Sequence, residues 1–263
     1  MALEARSDSR MDQAAEPPPA RGGVGSWDLK SLLDLDPELG AELSDAEWAE
    51  AHDRLAVSTV TLGPGEWTKE LSEPQLFGVL VVDGALSHRI VAGPGRSLEV
   101  LAKGDLARPW QEDSSSVGET WFSSLGESQL AVLDRRFAAS VARWPPVFDA
   151  LLERSLRRVR FLGDQAALES RVGMERRVLH TLWHLAERSG FETRDGMVVP
   201  LPLTHQMLAE LIGAQRPSVS AAVSRLTAEG TLRRTEDRGW LLSARSAEEW
   251  LQESAPAEGP SRA

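Results

Sequence analysis

Apolar positions change their spacing along this 263-residue chain, and the changes divide it into units. Between residues 56 and 134 they fall in short β-like runs at 57–62, 77–82, 86–91, 97–101 and 129–133. Gly63-Pro64-Gly65, Asp83-Gly84, Pro94-Gly95 and Gly104-Asp105 lie between the runs. Asp-Gly between two apolar runs marks a hairpin, and strands spaced this evenly predict a β-sandwich or barrel, here a jelly-roll-like β-roll. A short helix precedes them at 44–55, with Ser44 as N-cap and Trp48 and His52 on one side. After Pro145-Pro146 the period becomes helical. Phe148, Leu152, Leu156 and Val159 line one side from about 147 to 169, while Arg154, Arg157, Arg158 and Arg160 point mostly elsewhere. A long helix between two globular units has no core of its own to cover such a stripe. Either it packs on the β domain, or it meets the same helix of a second subunit in a two-fold dimer. A further helix is predicted at 174–187.

The clearest pattern lies at 203–242. Thr204 is a helix N-cap ahead of Leu208, Leu211 and Ile212 at i, i+3 and i+4, and Gly213 ends that helix. A second helix starts near Arg216, with Val219, Ala222, Val223 and Leu226 on its apolar stripe. Its other face carries Pro217, Ala221 and Ser224, flanked by Ser220 and Arg225. Two helices joined by so short a glycine turn form a helix-turn-helix, whose second helix enters the DNA major groove by its N-terminus. Gly230 then opens a basic hairpin that carries Arg233 and Arg234, turns at Glu236-Asp237-Arg238-Gly239 and returns through Trp240. That is the form of a wing. The whole predicts an α+β protein: a β-roll sensor domain, a long dimerisation helix and a C-terminal winged helix-turn-helix.

Composition narrows the chemistry. With no cysteine there are no disulfides, thiolate zinc sites or cysteine-held iron–sulfur clusters. No run of about 18 apolar residues predicts a membrane span, and the N-terminus lacks the apolar segment of a secretion signal, so a cytoplasmic protein is expected. The net charge of −11 is unevenly placed. Residues 171–244 hold ten Arg against eight acids and the tail two Arg against four Glu, so residues 1–170 carry the acidity. Acid outside the DNA module opposes non-specific phosphate binding without abolishing specific binding. Residues 1–25 read as a disordered leader, 44–144 as the β-roll, 145–170 as the dimerisation helix, 171–245 as the DNA module and 246–263 as an acidic tail.

Other candidates carry less. His180 and His184 have the i, i+4 spacing of metalloprotease ligands, but Thr181 stands where that motif needs a glutamate, so no metal site is expected. No phosphate loop, nucleophile elbow or acid–base pair is present, so no catalytic residue is expected. Trp110 and Trp121 bracket a polar loop and either wall an aromatic ligand pocket or plug the roll.

A β-roll, a long helix and a winged helix in this order resemble the Crp/Fnr family of bacterial transcription regulators over roughly residues 45–245. Thr204-His205-Gln206, Ile212-Gly213, Arg216-Pro217-Ser218-Val219-Ser220 and Arg225-Leu226 carry the resemblance, with Arg177-Val178-Leu179, Thr181-Leu182-Trp183 and Leu185-Ala186 before them. It implies double-stranded DNA, a second copy of the chain and RNA polymerase as partners. It also implies base contacts from Arg216, phosphate contacts from Thr204, Gln206, Ser218 and Ser220, and further DNA contacts from Pro217, Ala221, Ser224, Arg225, Arg233, Arg234 and Arg238. Pro217 and Ala221 stand where the cyclic-AMP-sensing member has an acid and a second arginine, so base readout differs. The roll departs further. Pro109 takes the place of the ribose-binding glutamate, and Glu119-Thr120 fall where an Arg-Ser/Ala pair would hold the cyclic phosphate. A glutamate there repels phosphate, so no cofactor is expected and cyclic AMP is not expected in the usual mode. Arg108 keeps room for another anionic effector. The rival reading is a ligand-binding switch whose winged helix docks protein.

Overall fold

The computed structural model describes residues 28–67, 71, 77–93, 95–109, 118–168 and 172–244. The leader at 1–25, Trp110 and the tail at 246–263 lie outside the described residues.

The first unit opens with β1 (Asp28–Ser31), α1 (Leu32–Leu35), a 3₁₀ turn at Pro37–Gly40 and α2 (Asp45–Arg54). A capping box starts α2: the Ser44 hydroxyl accepts from the Glu47 N–H, and the Glu47 carboxylate accepts from the Ser44 N–H at 3.0 Å. The strands follow as β2 (Ala56–Leu62), β3 (Gly78–Asp83), β4 (Ala85–Ala92), β5 (Gly95–Ala102), β6 (Leu106–Ala107), β7 (Glu119–Ser124) and β8 (Ser128–Leu133). They form one sheet of order β1-β2-β8-β3-β6 and another of order β5-β4-β7. Alternation along the strands splits the core in two. Val79 and Val81 of β3 and Leu130 and Val132 of β8 face Leu86 and Leu101 of the other sheet. Leu80, Val82, Ala131 and Leu133 face the helical side, where Leu32, Leu33, Phe137, Trp144, Val147 and Leu151 cover them. The Asp83-Gly84 hairpin requires its glycine: φ is +75° at Gly84, and a Cβ there would lie 2.4 Å from the Glu127 carbonyl oxygen.

Two helices leave the roll, α3 (Arg135–Val141) and the 24-residue α4 (Pro145–Leu168). Val147 and Leu151 of α4 are buried on the roll, and its Arg154 and Arg158 pair with Asp36 and Glu99. The stripe read from the sequence points the other way. Phe148, Leu152, Leu156, Val159 and Leu162 are 44, 46, 44, 64 and 42% exposed.

The second unit comprises α5 (Met174–Ser189), β9 (Phe191–Thr193), β10 (Gly196–Val199), α6 (His205–Leu211), α7 (Arg216–Ala228), β11 (Leu232–Arg234) and β12 (Trp240–Ser243). Its strands form one sheet of order β11-β12-β10-β9. The fold is thus α+β, as the spacing predicts. The β9–β10 hairpin was not legible, nor were β1, α1, α3, β6 and β7.

Candidate nucleic-acid interface

Helix α6 starts where Thr204 predicts. The Thr204 hydroxyl accepts the Met207 N–H at 3.2 Å, and past the C-cap Ile212 the chain turns at Gly213 with φ 61°. Helix α7 starts at Arg216, and Pro217 lies in its first turn, where a missing N–H loses no bond. Val219, Ala222, Val223 and Leu226 are buried against Val178, Leu182 and Leu185 of α5, Leu208 of α6 and Leu232, Trp240 and Leu242 of the hairpin. The Trp240 indole donates to the Leu203 carbonyl at 3.0 Å, tying the hairpin to the entry of α6. Burying this stripe leaves Arg216, Pro217, Ser218, Ala221, Ser224 and Arg225 exposed on the opposite side.

These side chains are not equivalent. The Arg216 side chain, at the tip of the helix, has no hydrogen-bond or ion-pair partner among the described residues. Arg225 is bound to Glu175 of α5. Ser220 is half-buried, 3.0 Å from Nδ1 of His205, and joins α7 to α6. The Ser224 hydroxyl donates back to the Ser220 carbonyl. Gln206 donates to Glu210 at 2.9 Å. On the hairpin, Arg234 donates to the Arg238 carbonyl and lies 4.1 Å from the centre of the Trp240 ring, while exposed Arg233 stands 3.4 Å from Asp195. Arg238 takes a left-handed φ of 64°, turning the hairpin. Burial first, then the charges of Arg234 and Arg216, lower the His205 pKa and keep the ring uncharged at neutral pH.

Comparison with known proteins agrees with this geometry. Residues 176–247 match the family model of the Crp-like helix-turn-helix domain. The C-terminal unit is thus similar in sequence to the Crp-like helix-turn-helix domain. The whole fold is similar to that of a CooA mutant from Carboxydothermus hydrogenoformans, at 16% identity over 82% of this chain and 94% of that one, with a TM-score of 0.56. It is also similar to FixK2 from Bradyrhizobium japonicum, at 18% identity over 74% and 96% with a TM-score of 0.57. A CRP-family transcriptional regulator from Thermus thermophilus gives 18% identity over 74% and 97%, with a TM-score of 0.54. No curated protein matches the chain. The chain therefore has the fold of a Crp/Fnr-type regulator, with the Crp-like domain at its C-terminal end.

In the roll that precedes the Crp-like domain, strand register settles where several side chains go. His88 of β4 lies opposite Glu99 of β5 and Phe122 of β7. Its ring stacks on Phe122 with centroids 4.4 Å apart, and Phe122 stacks on Trp67 at 5.1 Å. Glu99, only 17% exposed, pairs with His88 at 3.3 Å and with Arg158 reaching down from α4. Burial alone would raise the Glu99 pKa, but hydrogen bonds and charge from His88 and Arg158 outweigh it and hold the carboxyl at about 2. The sequence reading missed this cluster. Its one legible trace was the set of α4 arginines lying off the apolar stripe. Trp121 lies opposite Arg89, on the face away from His88. Arg108 donates to the Phe77 carbonyl at 2.7 Å, with its guanidinium 4.9 Å from the Phe77 ring centre.

His184, one of the pair at metal-ligand spacing, stacks on Phe161 of α4. Burial, then the charges of Arg188 and His180, lower its pKa to about 3. Among the described residues no group of His, Asp and Glu is placed to hold a metal ion, and no helix is long and apolar enough to cross a membrane.

Proposed function

We propose that the chain is a sequence-specific DNA-binding transcription regulator of the Crp/Fnr type, acting in the cytoplasm as a homodimer on a pseudo-palindromic site. The observation that carries the reading is the state of α7. Its apolar stripe is consumed by the body of the domain, and its exposed side begins with an arginine that has no partner among the described residues. A guanidinium with no described partner at the leading end of a groove-entering helix suits the O6 and N7 acceptors of guanine. Ser218, together with Thr204, Gln206 and the hairpin arginines Arg233, Arg234 and Arg238, serves phosphates, which fix register. Ser220 and Arg225 instead join the helices to each other and contribute to DNA binding by holding α7 in place.

The apolar stripe of α4 is the surface for the second copy, and RNA polymerase is the partner of a regulator so placed. The roll takes no cyclic AMP in the family's usual mode, and no catalytic role is assigned. Arg216→Ala tests the reading. Losing one bidentate base contact costs about 1–3 kcal/mol, and the variant dimer loses one in each half-site, so specific binding falls roughly thirtyfold or more while non-specific binding changes little. Equal losses on both DNAs in a gel-shift titration would refute the role of Arg216.

A further inference from the structure

Helix α6 is packed between two bodies. Leu208 and Ala209 join the core formed with α5 and α7, and the same buried cluster takes in Ala85 of β4 and Val100 of β5. Inside this contact Glu210 is 9% exposed. One of its carboxylate oxygens lies 3.6 Å from Nε of Arg89, and the other accepts the Gln206 amide N–H at 2.9 Å. Neighbouring residues of β4 therefore look into different places. His88 faces Glu99 and the α4 arginine Arg158. Arg89 faces the helix that precedes the reader.

We propose that Arg89 is a positioning residue for DNA binding: by neutralising the buried Glu210 carboxylate it fixes α6 on the roll and removes a negative charge from beside Gln206. The proposal rests on the DNA-binding reading above. A buried carboxylate needs a cation or a network of donors. Among the described residues, the one donor other than Arg89 that reaches Glu210 is the uncharged Gln206 amide. With Arg89 in place, a phosphate approaching Gln206 meets a neutral pair. Without it, the phosphate meets a carboxylate in a low-dielectric setting. The connection also gives the roll a direct hold on the Crp-like domain, besides the one through α4.

The test uses the full-length protein and the operator that it selects from a random duplex library. Arg89→Ala should weaken operator binding on the order of tenfold, within the range of couplings between residues in contact. Adding Glu210→Gln should bring affinity back to within about threefold of the wild type, because the amide still accepts from Gln206 but carries no charge. Arg89→Lys should bind like the wild type. A merely structural role would leave the double variant at least as weak as Arg89→Ala, and that result, or an Arg89→Ala protein that binds normally, overturns the proposal. Should Arg89→Ala fail to fold, the exchanged pair Arg89→Glu with Glu210→Arg must bind where Arg89→Glu alone does not. Hydrogen exchange in the free protein separates this failure from failure of the DNA reading: α6 amides lose protection in Arg89→Ala and regain it in the double variant, whether or not any duplex is bound.

Discussion

Glu99 and His184 respond to acid in the same direction for opposite reasons. Glu99 is held charged by its cationic partners at about 2, below its ordinary 4.5, so the stability it contributes is present above pH 4.5 and is lost as pH falls toward 2. His184 is held neutral at about 3, below its ordinary 6.5, so the folded state resists a proton that the unfolded chain accepts, and stability is lost as pH falls from 6.5 toward 3. His180 is shifted the same way, chiefly by burial. Thermal unfolding followed by circular dichroism should show a midpoint that declines below pH 6.5 and more steeply below 4.5, each group adding at most about 1.4 kcal/mol per pH unit. A midpoint level between pH 7 and 4 would contradict the described packing of α4 on α5. Neither group was readable in the sequence as a titrating site. Glu99 meets Arg158 across 59 residues, and His184 depends on Phe161 of another helix. Arg225 shows the same limit. Helical spacing puts it beside the reader face, and only the placement of α5 shows that Glu175 occupies it.

At the scale of elements, the helices of the DNA module were legible because each carries both a period and a stop. The Thr204 cap and the Gly213 turn act on groups within a few residues, and the stripe from Val219 to Leu226 repeats inside one helix, so its period shows whatever distant residues it packs against. The elements that went unread are short or depend on distant partners. β1 pairs Asp28 with Thr59, and β9 is a three-residue strand whose Phe191 is exposed. Helix α4 was read by its stripe but holds two faces. One is buried on the roll, and the other, from Phe148 to Leu162, spans a continuous band of exposed apolar side chains. Such a band needs a cover, and spacings of three and four residues suit a helix of the same kind. Val159→Glu, at the most exposed position of the stripe, should therefore shift the chain toward monomer in sedimentation equilibrium without lowering its helix content. A variant that associates as the wild type does would place the interface elsewhere.

The whole molecule is asymmetric in charge as well as in fold. The acidity of −11 lies in residues 1–170, while 171–244 carries ten Arg against eight acids. On the proposed reading, so weak an attraction to phosphate would throw the burden of affinity onto base contacts and onto pairing two reader helices at once. The two units touch through α4, through the buried cluster shared by α6 with β4 and β5, and through Asp105 with Arg188, so the roll and the Crp-like domain are mechanically joined. What the sequence could not disclose was this joint, because its partners come from strands and helices far apart in the chain. The most direct measurement of the central claim is selection of duplexes from a random library by the full-length protein, followed by sequencing. The account predicts an inverted repeat with half-site centres one helical turn apart, about 10 base pairs, and a guanine in each half-site whose preference disappears in Arg216→Ala. Recovery of no motif, or of a single unrepeated site indifferent to Arg216, would contradict it.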